Sequence, residues 1–126
     1  MKKFDGKKLL FLGSNIGTLD MIRYAKENGA YTIVADYLPQ EKSLGKQQAN
    51  SHILISTGDL DGLKEYIKKE GVDGVLAGVS EFNLLNAMKL CNYFKFPFYC
   101  TRKQWDCIED KEMFRNLCNT HHVPCP

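Results

Sequence analysis

Short apolar runs alternate with amphipathic segments along the chain, and this alternation is the feature that most restricts its fold. Leu9–Leu12 is an uninterrupted apolar run, as expected of a strand buried on both faces of a parallel sheet. Similar runs predict four further strands, over 31–35, 52–56, 72–77 and 96–100, the last at a sheet edge because it contains Pro97. Strands that alternate with helices imply parallel pairing and right-handed crossovers. The pattern therefore predicts a three-layer, Rossmann-like α/β domain around a parallel sheet of four to five strands.

In the segments between these runs, apolar residues recur at helical spacing. Leu19, Ile22 and Ala25 recur at helical spacing until Asn28-Gly29, where the helix should stop. Asp59 and Thr101 are suited to cap two later helices, because their side chains can accept bonds from free backbone N–H groups. Two more helices are predicted over 81–94 and 111–119, and the inner face of the first should hold Leu84, Leu85, Met88 and Cys91.

Composition and charge exclude several classes of protein. The 126 residues are 44% hydrophobic and 25% charged, which suits one ordinary globular domain. The formal net charge of +2 is too small to indicate nucleic acid or a membrane surface as partner. The basic N-terminus is followed only by the short apolar run Leu9–Leu12, too short for a signal peptide or a membrane span. We therefore expect a cytoplasmic protein.

The cysteines do not suggest a disulfide framework. There are five, an odd number, and no CxxC pair occurs. Cys118, His121, His122 and Cys125 could be drawn as a zinc site, but the alternative is that Cys118 lies on the apolar face of a helix whose end the histidines mark. We predict that all five cysteines are reduced and metal-free.

Three predicted loops follow the carboxyl ends of strands, where ligands of open parallel sheets bind. Glycines in the first loop let the backbone approach a ligand, and the helix starts that follow favour an anion. We predict that these loops form one substrate-binding surface. The candidate residues are Gly13, Ser14, Asn15, Gly17, Asp36, Ser80 and Glu81.

Each of these loops also has a purely structural interpretation. The glycine loop could be a tight turn without a ligand. Asp36 could hold a ribose hydroxyl or simply end a strand, and Glu81 could hold an amine or ribose hydroxyl or only interact with the helix dipole. No G-x-G-x-x-G fingerprint, Walker loop or arguable Ser/His/Asp constellation is present. The sequence therefore indicates a binding unit without catalytic machinery of its own.

The order of motifs resembles the N-terminal, pre-ATP-grasp domains of ATP-grasp ligases. Such domains begin with a strand and glycine turn, here Leu9–Gly17, followed by a strand that ends in an acid, here Asp36. The C-terminal third is the most telling part, with Pro97 in a short strand, the pair Asp110-Lys111 and the exit Val123–Pro126. Family members with this layout include phosphoribosylamine–glycine ligase, the ATPase subunit of phosphoribosylaminoimidazole carboxylase, biotin carboxylase and the large chain of carbamoyl-phosphate synthase.

The resemblance implies a function and a division of the chain. Residues 1–110 would be the pre-ATP-grasp domain and 111–126 the start of an ATP-grasp region that continues beyond Pro126, with Lys111 reaching the ATP phosphates. The parent would be a carboxylate–amine ligase of purine biosynthesis that acts through an acyl phosphate, with phosphoribosylamine–glycine ligase the first member to test. ATP and Mg²⁺ would serve the full-length enzyme and no cofactor this fragment. Its partners would be a small-molecule substrate, the remaining domains of the same chain and, in a homodimer, a second copy.

An interpretation from a different class stays open beside the ligase. The chain could be a stand-alone nucleotide- or ligand-sensing Rossmann-like module without catalysis. Further ATP-grasp domains in the full-length gene would favour the ligase, whereas a stop codon after Pro126 would favour the module. The sequence does not identify the carboxylate or the amine.

Overall fold

The computed structural model of the chain describes residues 1–125, and its centre is a parallel sheet. Four strands lie in the order β3-β2-β1-β4, and all their pairs are parallel. This confirms the predicted α/β, Rossmann-like fold with a parallel sheet of four to five strands. The strands are β1 (Lys8–Leu12), β2 (Tyr31–Asp36), β3 (Ser51–Leu54) and β4 (Gly74–Ala77).

The helices connect the strands and cover both faces of the sheet. Successive β1 side chains point to opposite faces: Leu10 packs towards α3 and α4, whereas Phe11 packs towards α1. Helices on both faces give the three predicted layers. The helices within 1–125 are α1 (Ile16–Glu27), α2 (Leu44–Gln48), α3 (Leu60–Glu70), α4 (Glu81–Phe94), α5 (Arg102–Glu109) and α6 (Lys111–Thr120), with a 3-10 turn at Gln40–Lys42.

Polar side chains fix where the helices start. Asp59 and Thr101 accept backbone N–H bonds at the first residues of α3 and α5, as predicted, and Thr101 forms a capping box with Gln104. Asp110 ends α5 and caps α6 through two backbone N–H groups. Because each cap depends only on side chains beside the helix start, the starts of α3 and α5 could be predicted from the sequence.

The predicted fifth strand over 96–100 is wrong. This segment is irregular and pairs with no strand among residues 1–125. Pro97 has no N–H to contribute to a ladder, and the segment is held instead by the Tyr99 hydroxyl, which donates to the Ala77 carbonyl at 3.0 Å. Phe96 and Phe98 pack against the core on the α3–α4 side, so the apolar pattern that predicted a strand reflects partial burial alone.

The inner face of α4 also differs from its prediction. Met88 and Cys91 are buried as expected, but Leu84 and Leu85 are only half-buried. Burial is concentrated in the middle of the helix, where Asn86, Ala87 and Leu90 are buried as well.

Helices α5 and α6 form a hairpin after the sheet. Cys118 is the buried residue of α6, where burial raises the pKa of its thiol and the nearby Cys125 thiol raises it further. Residues 1–125 contain no group of three or more His, Cys, Asp or Glu side chains arranged to hold a metal ion, and the five cysteines are free. In the same range no helix is long and apolar enough to span a membrane. The domain boundary at 110/111 stays a prediction, and Pro126 of the exit motif lies outside the described residues.

Candidate functional site at the carboxyl edge of the sheet

A cleft of about 490 Å³ opens at the carboxyl edge of the sheet, between the loops that follow β1, β2, β3 and β4. We call it the edge cleft. It brings together five of the seven predicted substrate-binding residues, whereas Gly17 and Glu81 lie outside its lining. The lining residues are Gly13, Ser14, Asn15, Asp36, Tyr37, Leu38, Ser56, Thr57, Ser80, Phe82 and Asn83.

The β1–α1 loop forms one wall of the edge cleft through a close backbone approach. Gly13 has a φ of +85°, and a Cβ added there would lie 2.6 Å from the amide nitrogen of Asn83. Only glycine fits this position without a shift of its neighbour. Asn15 then caps α1, because its side-chain oxygen accepts from the backbone N–H and the hydroxyl of Thr18. The glycine loop therefore keeps a fixed shape without a ligand.

Asp36 lies beneath the loop and is fully occupied by protein groups. The residue is 4% exposed. One oxygen accepts from the Leu38 N–H at 2.8 Å and lies 3.2 Å from the Lys46 ammonium. The other accepts from the Ser14 hydroxyl at 2.8 Å and the Ser43 hydroxyl at 3.2 Å. Three hydrogen bonds and one ion pair surround the carboxylate, so Asp36 shapes the cleft more directly than it can hold a ligand.

Lys46 is the charged partner that sequence reasoning missed. It is 1% exposed, and its ammonium also donates to the backbone carbonyls of Asp36, at 3.0 Å, and Leu38, at 2.5 Å. The segment from 37 to 51 is polar, and nothing in its pattern distinguishes a buried lysine from a solvated one. We call Ser14, Asp36, Ser43 and Lys46 the polar network.

The start of α4 supplies the opposite wall. Ser80 caps the helix by accepting from the Asn83 N–H at 3.3 Å. Phe82 is exposed and Asn83 half-buried, and both line the edge cleft. Glu81, the first residue of α4, is exposed at the same edge of the sheet. Sequence reasoning chose Ser80 and Glu81 but missed Phe82 and Asn83, although their position in the first helical turn could have indicated them.

A buried amide ties the β3–α3 loop to α4. Asn86 is 5% exposed and donates through its side-chain nitrogen to the Thr57 carbonyl at 3.0 Å. Thr57 in turn lines the edge cleft. The sequence feature that could have revealed this bond is an asparagine in the otherwise apolar middle of α4. Such a residue needs a hydrogen-bond partner when it is buried.

Lys111, the predicted ATP-phosphate ligand, lies apart from the edge cleft. It is the first residue of α6, is exposed and lines a separate groove of about 290 Å³. The two predicted ligand sites therefore lie on different surfaces of the domain.

Comparison with known proteins identifies solved structures that share this fold. No known family profile and no curated protein matches the chain. Solved structures do match. N5-carboxyaminoimidazole ribonucleotide synthetase from Thermotoga maritima is 24% identical with a TM-score of 0.71, over 95% of this chain and 32% of that one. Phosphoribosylglycinamide synthetase from Anaerococcus prevotii is 19% identical with a TM-score of 0.73, over 93% and 29%.

A third similar structure was solved with ligands. The biotin carboxylase domain of 2-oxoglutarate carboxylase from Hydrogenobacter thermophilus, in complex with MgADP, ADP and bicarbonate, is 18% identical with a TM-score of 0.79. The match covers 94% of this chain and 28% of that one. The chain has the fold of the N-terminal domain of these enzymes. This confirms the fold that the resemblance implied. The chain spans about a third or less of the length of each of the three structures.

Proposed function

We propose that this chain is the substrate-binding N-terminal domain of an ATP-dependent carboxylate–amine ligase. The observation that carries the proposal is the edge cleft, a preformed site at the edge where open parallel sheets bind ligands. It occurs in a fold shared with two synthetases and a biotin carboxylase domain. The parent would consist of this domain and further domains that bind the nucleotide.

The proposed reaction divides between the two ligand sites. A substrate carboxylate oxygen attacks the γ-phosphorus of ATP, giving an acyl phosphate and ADP. An amine nitrogen then attacks the acyl carbon, the amide C–N bond forms, the bond to phosphate breaks, and inorganic phosphate and the amine's proton are released. Lys111 would contact the ATP phosphates through its ammonium, with Mg²⁺ held by other domains of the parent. In support, one of the similar structures carries MgADP.

The edge cleft would hold the non-nucleotide substrate. Its ionisable lining residues are Asp36, which the polar network already pairs, and Tyr37. The groups left to face a ligand are neutral, such as the side-chain amide of Asn83, and the exposed Glu81 lies outside the lining at the start of α4. Such a surface suits a ligand with several hydroxyl or carbonyl groups, such as a ribose. Phosphoribosylamine–glycine ligase is therefore the first activity to assay.

Steady-state kinetics of the full-length parent tests this division. We expect Asn83→Ala and Glu81→Ala to raise KM for the non-nucleotide substrate about tenfold, because each removes a polar group at this edge of the sheet, and to leave KM for ATP nearly unchanged. Lys111→Ala should do the reverse. Glu65→Ala, on the exposed face of α3, is the matched control and should change neither. If all three site variants altered only the KM for ATP, the division of sites would be wrong.

A further inference from the structure

The chain reverses direction at the end of α6 and folds back along this helix. His122, just after the helix, has a φ of +56°, in the left-handed region. Two backbone bonds close the turn. The Val123 N–H donates to the Cys118 carbonyl at 2.8 Å, and the His122 N–H donates to the Asn119 carbonyl at 3.3 Å. These bonds form a Schellman motif, which directs the residues after Val123 back towards the end of α6.

A proline stiffens the returning segment. The ring of Pro124 fixes its own φ and restricts Val123 to extended conformations. Cys125 then lies against α6, where it lines the same groove as Phe114. Cys118 follows Phe114 by four residues, so both side chains lie on one face of the helix. The turn therefore brings Cys118 and Cys125 to the same face of α6.

The thiols of these two cysteines are neighbours, and they differ in their access to solvent. Burial raises the pKa of the Cys118 thiol, and a hydrogen bond with the Cys125 thiol raises it further. Cys118 is 7% exposed, whereas Cys125 is half-buried. Because an accessible thiol reacts before a buried one, Cys125 is suited to react first and Cys118 to displace the product of that reaction.

We propose that Cys118 and Cys125 form a reversible disulfide by exchange with a small-molecule disulfide such as oxidised glutathione. The Cys125 thiolate attacks one glutathione sulfur, the glutathione S–S bond breaks, and the first glutathione leaves with the proton that Cys125 has lost. Cys118 then gives up its proton and attacks the Cys125 sulfur, and the second glutathione leaves with that proton. Two protein thiols are oxidised while one glutathione disulfide is reduced to two thiols.

The disulfide would tie the segment after α6 to the helix. The Schellman motif and Pro124 already hold this segment in place, so little further ordering is needed to close the bond. A reducing agent would restore both thiols. This redox-sensitive site lies apart from the edge cleft and does not depend on which ligand the cleft binds.

Peptide mapping of the reduced 126-residue chain, after exposure to oxidised glutathione, tests the proposal. Trypsin cleaves after Arg115, and no Lys or Arg follows, so both cysteines fall in the single peptide 116–126. We expect this peptide to lose two hydrogens and resist alkylation, and dithiothreitol to restore both thiols. The equilibrium constant for the disulfide should be about tenfold higher in the folded chain than in concentrated urea, because the turn holds the two thiols together.

Serine variants separate the roles of the two cysteines. Cys118→Ser should stop at a mixed disulfide between Cys125 and one glutathione. In Cys125→Ser the peptide should react about tenfold more slowly, because only the buried Cys118 remains in it. Cys107→Ser, at a half-buried cysteine of α5, is the matched control and should form the disulfide as wild type does. Circular dichroism should show that all three variants keep their helix content.

Three results for the wild-type chain would each overturn the proposal. The peptide 116–126 could keep two thiols that are open to alkylation, or it could carry two separate glutathiones. The third result is a disulfide that forms equally well in urea, which would mean that the folded turn contributes nothing.

Discussion

At the scale of single residues, the most consequential side chain is the buried ammonium of Lys46. Taking two charges out of water is expensive, and the attraction between Lys46 and Asp36 repays this only because further hydrogen bonds satisfy both groups. The same bonds connect α2 to the β1–α1 loop through Ser14. The stability of the domain and the shape of the edge cleft therefore depend on the same few atoms.

We expect Lys46→Met to lower the free energy of unfolding by about 3–5 kcal/mol, because it leaves the Asp36 carboxylate buried without a counter-charge. Urea unfolding followed by circular dichroism measures the loss. Lys42→Met, at an exposed lysine of the neighbouring 3-10 turn, is the control and should change stability little. Adding Asp36→Asn to Lys46→Met should recover part of the loss. Equal stabilities of the Lys46 and Lys42 variants would contradict this account of the polar network.

A second buried residue makes stability depend on pH. Cys91 is fully buried, and this burial raises the pKa of its thiol from 9.0 to about 11. The protonated thiol donates to the Val75 carbonyl. Above pH 9 the unfolded chain loses this proton while the folded chain keeps it. The free energy of unfolding should therefore fall between pH 9 and pH 11, by up to about 2.5 kcal/mol from this thiol.

The contribution of Cys91 can be isolated by a difference measurement. Burial also raises the pKa of Tyr66 and Tyr99, so the wild-type curve contains several contributions of the same sign. Urea unfolding of wild type and Cys91→Ala at pH 8, 9, 10 and 11 separates them. The variant should start less stable because of the cavity, but its stability should fall less steeply with pH. Parallel curves would mean that the thiol does not titrate differently in the two states.

At the scale of helices and strands, features that depend on neighbouring residues could be predicted from the sequence, whereas features that depend on distant residues could not. The start of α4 and the caps at Asp59 and Thr101 follow from side chains within three residues of the helix start. The expected parallel order of the strands was enough to predict that Asp36 and Ser80 lie at the same edge of the sheet as the glycine loop, and all three line the edge cleft. The burial of Lys46, by contrast, depends on which carboxylate and carbonyls the fold brings to it, and no spacing rule encodes this.

The joint between α5 and α6 gives a prediction for these two helices. The Asp110 side chain caps α6, so Asp110→Ala should destabilise it by about 1 kcal/mol and lower the helix signal. Asp110→Asn keeps a side-chain oxygen and should behave nearly as wild type. Thermal unfolding followed at 222 nm compares the three proteins. If the asparagine variant lost as much thermal stability as the alanine variant, the charge of Asp110 would stabilise α6 more than its capping hydrogen bonds do.

At the scale of the whole molecule, the two ligand sites differ in how complete they are. The edge cleft has walls from four loops, whereas Lys111, the predicted phosphate ligand, lies on one exposed helix in a separate groove. We therefore expect the isolated chain to bind MgATP weakly or not at all. Isothermal titration calorimetry measures this directly. Micromolar affinity would contradict the expectation and favour the stand-alone nucleotide-sensing module.

The polar network also bears on how easily this domain could be retargeted. Its bonds fix the β1–α1 loop from below, and none of them involves Tyr37, Phe82 or Asn83 in the lining of the edge cleft. Side chains that face a ligand can then be exchanged without disturbing the bonds that hold the backbone in place. A library confined to those three positions should yield folded proteins with altered ligand preference, whereas randomising Lys46 should yield mostly unfolded ones.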